Sequence, residues 1–178
     1  LANLAVAGVR VLLIAVVIFG FIGPMVLLRM CGFIQLSQRL VQLACRLILM
    51  VMGLRLSTVG SAMQMPGGVV ANHSTWLDIF VLNGVQKVLF VSKVEVAKWP
   101  LIGMIARSVG TIFIKRKQSD ALKQRDTFQE RLGAGHRLLF FPEGTSTDGR
   151  RVLPFKSTLF AAFFAPEVRN DVWIQAVT

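Results

Sequence analysis

The sequence predicts an α/β domain with a mostly parallel central sheet and flanking helices, preceded by an N-terminal two-helix membrane-anchoring segment. Short apolar runs alternate with helical stretches from residue 67 onward, a pattern typical of α/β layers. In the first 57 residues every charged side chain is an arginine, and the whole chain of 178 residues is 54% hydrophobic with a formal net charge of +11. We therefore predict an apolar, basic helical segment over residues 1–57 and an α/β domain over residues 58–178.

The first helix is predicted from a long run without charge. Eighteen uncharged residues separate Arg10 from Arg29. As a helix they cover roughly 27 Å, slightly less than the ~30 Å hydrocarbon core of a bilayer. Gly20, Gly23 and Pro24 weaken the second half of this helix. The run therefore either spans the bilayer or dips into one leaflet and returns.

The second helix, over residues 34–56, carries a single polar stripe. Gln35, Gln38, Gln42 and Arg46 recur at spacings of three and four on an otherwise apolar helix. This pattern favours a helix at the membrane interface whose arginines reach the lipid headgroups. The alternative is a helix buried against the domain core.

The α/β domain contains five predicted strands and four predicted helices. The strands are short, apolar and bounded by Gly, Pro or charge, and cover residues 67–72, 87–93, 110–115, 136–144 and 171–178. The helices cover residues 75–84, 99–108, 119–133 and 154–165, with Ser119 or Asp120 capping the third and Gly133 ending it. The last strand runs to the end of the chain, so we expect this domain to be truncated at its C-terminus.

His73 and Asp78 follow the first predicted strand. Open parallel sheets bind ligands beyond the carboxyl ends of their strands. An imidazole accepts a proton at neutral pH, and a nearby carboxylate stabilises the imidazolium that forms. The pair is therefore a candidate general base, and a hydrogen-bonded structural histidine is the alternative. No G-x-S-x-G elbow or nearby cysteine accompanies it, so the base would activate a hydroxyl of a bound substrate.

A second polar motif, PEGTSTDGRRVLPFK over residues 142–156, follows the fourth predicted strand. Its glycines, hydroxyl side chains and cations offer backbone N–H groups and positive charge to an anionic or polyhydroxylated ligand. An ordinary polar turn is the alternative. The motif lacks the Lys-Ser/Thr arrangement of a P-loop, so ATP hydrolysis is not predicted.

No metal or cofactor is predicted. Asp78, Glu143 and Asp148 are the carboxylates that a magnesium ion could use, but no phosphoryl substrate is indicated to share the metal. Cys31 and Cys45 lack a histidine at metal spacing and are interpreted as buried free thiols. The positive charge suits an anionic membrane. Nucleic acid is not expected as a partner, because the basic residues lie among Leu, Val and Ile and no nucleic-acid motif occurs.

Taken together, the motifs resemble those of the glycerolipid acyltransferases, typified by bacterial 1-acylglycerol-3-phosphate acyltransferase. NHSTWLD, residues 72–78, resembles the family's NHxxxxD motif, and FPEGTS, residues 141–146, resembles its FPEG motif. The family's middle block is matched by Lys93, Glu95, Pro100, Gly103, Gly110 and Arg116. The resemblance covers residues 67–160, and the apolar N-terminus is similar to the family's two-helix membrane anchor.

This resemblance implies transfer of an acyl chain from acyl-CoA or acyl carrier protein to a free hydroxyl of a lysolipid. It places the reaction on the cytoplasmic face of the inner membrane. It also implies that His73 is the general base and that Asp78 holds and charges the imidazole. The implied acceptor-headgroup site is Arg116, Glu143, Gly144 and Thr145, with Lys93 and Lys156 as further candidates for contact with acceptor or donor.

Two departures from the family pattern bear on the acceptor. Ser146 stands where the family usually has arginine, and Ala176 where it usually has proline. The first departure removes a cation that could hold a phosphate, and EGTSTDGRRVLPFKS looks closer to the branch that acylates lyso-ornithine lipid. Because Arg150 could replace the lost cation, lysophosphatidate is placed first by family frequency and lyso-ornithine lipid second. A non-catalytic membrane lipid-binding protein and a hydrolase are the alternatives of other classes.

Overall fold

The computed structural model describes residues 2–115, 121–157, 160, 163 and 172–178, and it confirms the predicted α/β fold class. The chain forms two compact units. The first comprises Leu1–Ser61 with Ile79–Lys87, and the second comprises Ala62–Asp78 with Val88–Thr178. The domain limits predicted from the sequence, 1–57 and 58–178, stay predictions.

The first unit begins with two helices, α1 (Ala2–Met30) and α2 (Ile34–Val51). Both are long and apolar enough to cross a membrane, by length and composition alone. α1 continues through Pro24 to Met30. Both cysteines are free, and Cys45 is buried as predicted. The predicted burial of Cys31 is wrong, because this residue lies in the exposed turn that follows α1.

The polar stripe of α2 binds a third helix, α3 (Asp78–Val85). Within the first unit, Gln42 Nε2 donates to the Val85 carbonyl at 2.9 Å, and Arg46 Nε donates to the Gly84 carbonyl at 2.7 Å. The last carbonyls of a helix have no partner within the helix, so these side chains satisfy them. These two residues of the stripe therefore bind protein, although Arg46 remains exposed beyond this bond. The position of α2 at a membrane interface stays a prediction.

The sheet of the second unit is parallel throughout the described strands, as predicted. Its strands are β1 (Gly67–Ala71), β2 (Leu89–Lys93), β3 (Ile112–Ile114), β4 (Arg137–Phe140) and β5 (Trp173–Val177). Their order across the sheet is β3-β2-β4-β1-β5. Because all pairs are parallel, the loops that follow β1, β2 and β4 emerge at one edge.

Two further helices and a short 3₁₀ segment complete the described elements. α4 (Ile102–Ser108) starts three residues later than predicted, because Leu101 has φ +61° and is not helical. A 3₁₀ segment (Val94–Lys98) that the sequence did not predict lies before it. α5 (Ala121–Gly133) ends at Gly133 as predicted. The predicted caps, Ser119 and Asp120, lie outside the described residues, as does part of the predicted helix over residues 154–165.

An apolar core fixes the position of the strands. Phe128 and Leu132, one turn apart on α5, pack with Leu138 and Phe140 of β4. All five residues of β1 are buried, as expected for an inner strand of a parallel sheet. The carboxyl ends of β1 and β4 are therefore held firmly, and both predicted polar motifs start there.

Candidate active site

Asp78 organises the loop between β1 and α3. Its Oδ2 atom accepts hydrogen bonds from His73 Nδ1 at 2.8 Å and from the backbone N–H groups of Ser74 at 2.8 Å and Thr75 at 3.0 Å. Asp78 is the first residue of α3, which starts three residues later than predicted, and its N–H donates to the Thr75 carbonyl at 3.1 Å. The five-residue spacing of the histidine and the aspartate thus closes a compact turn around one carboxylate.

The carboxylate of Asp78 also determines the tautomer of His73. An ionised carboxylate only accepts hydrogen bonds, so Nδ1 of the imidazole carries the proton in this contact. The lone pair is then on Nε2, which can take a proton from a substrate. The side chains of His73 and Asp78 are 19% and 20% exposed, so the pair is sheltered and still reachable.

The second motif holds the backbone of His73. Glu143 Oε2 accepts the His73 N–H at 2.9 Å, and the His73 carbonyl accepts the Thr147 N–H at 2.9 Å. The other oxygen of Glu143, Oε1, accepts the Leu153 N–H at 3.0 Å. Val70 of β1 pairs with Phe140 of β4, and this register brings the two motifs together.

A tight turn shapes the wall beside the imidazole. The Gly144 N–H donates to the Phe141 carbonyl at 3.0 Å, and Gly144 has φ +74°, a conformation that favours glycine. The Phe141 ring stacks on the His73 ring with centroids 4.0 Å apart and planes 13° apart. This stack fixes the plane of the imidazole that the Asp78 bond orients.

His73 lies on the wall of a cleft of about 550 Å³, within the usual range for small-molecule sites. Its polar lining, among the described residues, is His73, Ser92, Lys93, Glu95, Thr145 and Ser146. Its apolar lining includes Val91, Val96, Trp99, Ile114, Phe140 and Phe141. The cleft therefore offers an apolar surface beside a few polar groups.

The structure brings several predicted site residues to this cleft. His73, Lys93, Gly144 and Thr145 line it, and Asp78 supports His73. Their predicted roles in substrate binding and catalysis stay predictions.

Three other predicted contacts have different placements. Glu143 is 1% exposed and both its oxygens bind backbone N–H groups, an arrangement that favours a positioning role. The Lys156 N–H donates to the Pro142 carbonyl at 2.9 Å, and its exposed side chain is not part of the described lining. Arg116 lies outside the described residues.

Thr147, Phe141 and Trp99 contribute to the site, although no role was predicted for them from the sequence. Thr147 and Phe141 contact His73 only because β4 lies next to β1, and strand order is not encoded in local periodicity. Phe141 directly precedes the Pro-Glu-Gly turn, which is the one local signal for its place. Trp99 reaches the cleft after the 3₁₀ segment that the sequence did not predict.

Comparisons with known proteins agree on one family. Residues 60–177 match the family model described as Acyltransferase. The chain is 54% identical over 134 residues to the lyso-ornithine lipid O-acyltransferase of Rhodobacter capsulatus, a match covering 75% of this chain and 49% of that one. It is 38% identical over 102 residues to the 1-acyl-sn-glycerol-3-phosphate acyltransferase of Neisseria gonorrhoeae, covering 56% and 40%. The matched regions thus span about half or less of these relatives.

A solved structure shares the fold. The crystal structure of the 1-acyl-sn-glycerophosphate (LPA) acyltransferase PlsC from Thermotoga maritima aligns with a TM-score of 0.60 and 19% sequence identity. The alignment covers 94% of this chain and 73% of that one. At this level of identity, the similarity is one of fold.

Proposed function

We propose a function for this chain on the premise that it belongs to the acyltransferase family. The reaction is transfer of a fatty acyl chain from an acyl thioester to the free hydroxyl of a lysolipid, with lyso-ornithine lipid as the acceptor. The observation that carries this proposal is the 2.8 Å contact of His73 Nδ1 with Asp78, which leaves Nε2 of His73 as a base at the wall of the cleft.

In the proposed mechanism the acceptor hydroxyl attacks the thioester carbonyl while Nε2 of His73 removes its proton. The negative charge on Asp78 stabilises the imidazolium that forms, and the stack with Phe141 keeps the ring in place. When the tetrahedral intermediate collapses, the C–S bond breaks and the imidazolium protonates the departing thiolate. The products are the ester and the free thiol, so no covalent enzyme intermediate is required.

The intermediate carries a negative oxygen that needs hydrogen-bond donors. Thr145 and Ser146 line the cleft with His73, and in the described part of the chain their backbone N–H groups donate to no other atom. We assign these N–H groups to the oxyanion. The tight turn that ends at Gly144 presents them, which gives a reason for glycine there.

Two observations favour lyso-ornithine lipid over lysophosphatidate, the acceptor expected first from the sequence. The greater identity is to a lyso-ornithine lipid O-acyltransferase. In addition, the described lining of the cleft contains one lysine, Lys93, one carboxylate, Glu95, and the neutral Ser146. A zwitterionic amino-acid headgroup matches a cation beside an anion, whereas a phosphate would meet Glu95 unfavourably.

The donor is acyl-CoA or acyl carrier protein, used as a co-substrate, and we propose no resident cofactor. Both donors are polyanionic and occur on the cytoplasmic side of the inner membrane, where we place the reaction. The net charge of +11 and the apolar helices α1 and α2 support an anionic membrane as the surface on which the protein works.

The reaction is tested by thiol release from an acyl thioester. Purified protein in anionic vesicles is assayed with and without a lysolipid acceptor, and His73→Ala and Asp78→Asn are compared with the unmodified chain. His73→Ala should lower acceptor-dependent turnover by about 100- to 10,000-fold, because the base is lost. Asp78→Asn should lower it by about 100-fold or more, because the imidazolium loses its counter-charge.

Asp126→Asn is the matched control, because Asp126 is an exposed carboxylate on α5. It should retain full turnover. Equal thiol release with and without acceptor would instead identify a hydrolase. Retained turnover in His73→Ala would remove the support for the proposed base.

The acceptor is tested by competition between lyso-ornithine lipid and lysophosphatidate. The unmodified chain should prefer lyso-ornithine lipid in kcat/KM. Glu95→Gln should lower kcat/KM for lyso-ornithine lipid and leave that for lysophosphatidate equal or higher, because the acceptor ammonium loses its carboxylate. A preference for lysophosphatidate that Glu95→Gln leaves unchanged would contradict this assignment.

A further inference from the structure

An apolar surface lies beside the cleft, on the segment that joins the 3₁₀ helix to α4. We call residues 99–104 the elbow. Its large apolar side chains are Trp99, Leu101, Ile102 and Met104, which are 54%, 50%, 50% and 42% exposed. Four exposed large apolar side chains within six residues are a local concentration, unlike the single apolar residues scattered over an ordinary surface.

The backbone of the elbow is braced from behind. Gly103 packs so closely that an added Cβ would lie 2.3 Å from the Ala97 carbonyl oxygen. Arg107 Nη1 donates to the same carbonyl at 2.6 Å. The apolar side chains are therefore displayed by a packed scaffold.

Leu101 adopts an unfavourable conformation in this scaffold. Its φ is +61°, and the Ile102 N–H donates to the Pro100 carbonyl at 2.6 Å across it. This is a γ-turn with a positive central φ, which is rare and strained for a residue with a side chain. The fold thus accepts strain at a position that exposes a leucine to water.

Charge and position indicate what the elbow contacts. Lys98 and Arg107 flank it and are exposed, and the sequence has no acidic residue from 96 to 115. Trp99 belongs both to the elbow and to the lining of the cleft. A protein surface with exposed apolar side chains between cations fits the boundary between the headgroups and acyl chains of an anionic bilayer.

We propose that the elbow is the membrane-contacting lip of the cleft, with Leu101, Ile102 and Met104 inserted among lipids and Lys98 and Arg107 at the phosphates. This inference rests on the proposed function, because a lysolipid acceptor has to pass from the bilayer to His73. Trp99 then lines the entry of the acceptor from the lipid surface into the cleft.

The contact is tested with environment-sensitive fluorophores on single cysteines, in a chain carrying Cys31→Ser and Cys45→Ala. One label is placed by Met104→Cys and a matched label by Met65→Cys, since Met65 is 52% exposed in the same unit. In vesicles of phosphatidylcholine and phosphatidylglycerol, the label at 104 should shift to shorter wavelength and be quenched by doxyl-labelled lipid. The label at 65 should be quenched by aqueous iodide. Doxyl quenching at 104 no greater than at 65 would overturn the proposal, and this readout needs no turnover.

A kinetic test distinguishes contact of the elbow with the membrane from contact of the elbow with the acyl donor. The variant Leu101→Asn/Ile102→Gln/Met104→Gln is compared with Met65→Gln, and asparagine tolerates the positive φ of position 101. The elbow variant should raise KM for acceptor in vesicles by about tenfold, since apolar contact with lipid is lost, and leave turnover of a dissolved short-chain acceptor unchanged. Unchanged KM for vesicle acceptor, or a raised KM for an acyl carrier protein donor alone, would overturn the proposal. Absence of turnover in the unmodified chain would count against the proposed function. The fluorescence measurement would still test whether the elbow contacts the membrane.

Discussion

Glu143 joins the two polar motifs through a single buried carboxylate. Its two oxygens accept the N–H groups of His73 and Leu153, at 2.9 and 3.0 Å. A carboxylate suits this place because it accepts hydrogen bonds on both oxygens, and hydrogen bonds to a charged group are stronger than neutral ones. The residue therefore positions the proposed base by its backbone.

Glu143→Gln should lower both stability and turnover. The amide presents an oxygen to one backbone N–H and an NH₂ group to the other, so one buried donor loses its acceptor. We expect a loss of about 1–3 kcal/mol in the free energy of unfolding, measured by urea denaturation. Turnover of the folded variant should also fall, because His73 is less firmly held.

Glu130→Gln is the control for this substitution, because the Glu130 side chain is 70% exposed on α5. Its free energy of unfolding should match that of the unmodified chain. If Glu143→Gln is as stable and as active as Glu130→Gln, the positioning role of Glu143 is wrong.

At the scale of elements, the packing of α4 on the preceding 3₁₀ segment depends on one glycine. Gly103 is buried, and its Cα faces the carbonyls of Val96 and Ala97. A helix can approach another backbone this closely only where it has no side chain. Gly103 matches the family's middle block in the sequence, and its close approach to these carbonyls gives the physical reason for a glycine there.

Gly103→Ala should destabilise the chain by about 1–3 kcal/mol or more, because backbone atoms would have to move to admit the Cβ. Gly133→Ala is the matched comparison, since Gly133 ends α5 with no heavy atom within 4 Å of an added Cβ. That substitution should be neutral or slightly stabilising. Thermal unfolding of the two variants side by side measures the difference, and equal melting temperatures would contradict the close packing.

At the scale of the whole molecule, charge and apolar surface both favour a membrane. If the chain works on an anionic membrane as proposed, its net charge of +11 contributes an attraction that weakens as salt screens it. Burial of the apolar helices α1 and α2 in lipid does not depend on salt in this way. The two contributions can therefore be separated experimentally.

Membrane association should survive removal of the electrostatic contribution. Protein bound to phosphatidylglycerol vesicles should stay in the pellet after a wash with 1 M salt and after a wash at alkaline pH, when the fractions are assayed by sedimentation. Lower salt should speed the initial binding. Complete release by salt alone would mean that surface charge, and not α1 and α2, holds the protein on lipid.

The features that the sequence by itself determined are local. Each of these features depends on residues within a few positions of one another, so periodicity and spacing suffice to predict it. They are strands such as residues 67–71, the end of α5 at Gly133, and the contact of His73 with Asp78. The parallel sheet followed from the alternation of these elements.

Only the tertiary structure determined which residues from distant parts of the chain contact these elements. The adjacency of β1 and β4 places Glu143 and Thr147 on the backbone of His73. The carboxylate of Glu143, for which a headgroup contact was predicted, is buried there. In the same way, Gln42 satisfies a carbonyl of α3, far along the chain. The physical reason is that hydrophobic patterning determines which face of a helix or strand is buried. Strand order and close packing determine which residues from distant parts of the chain contact that face.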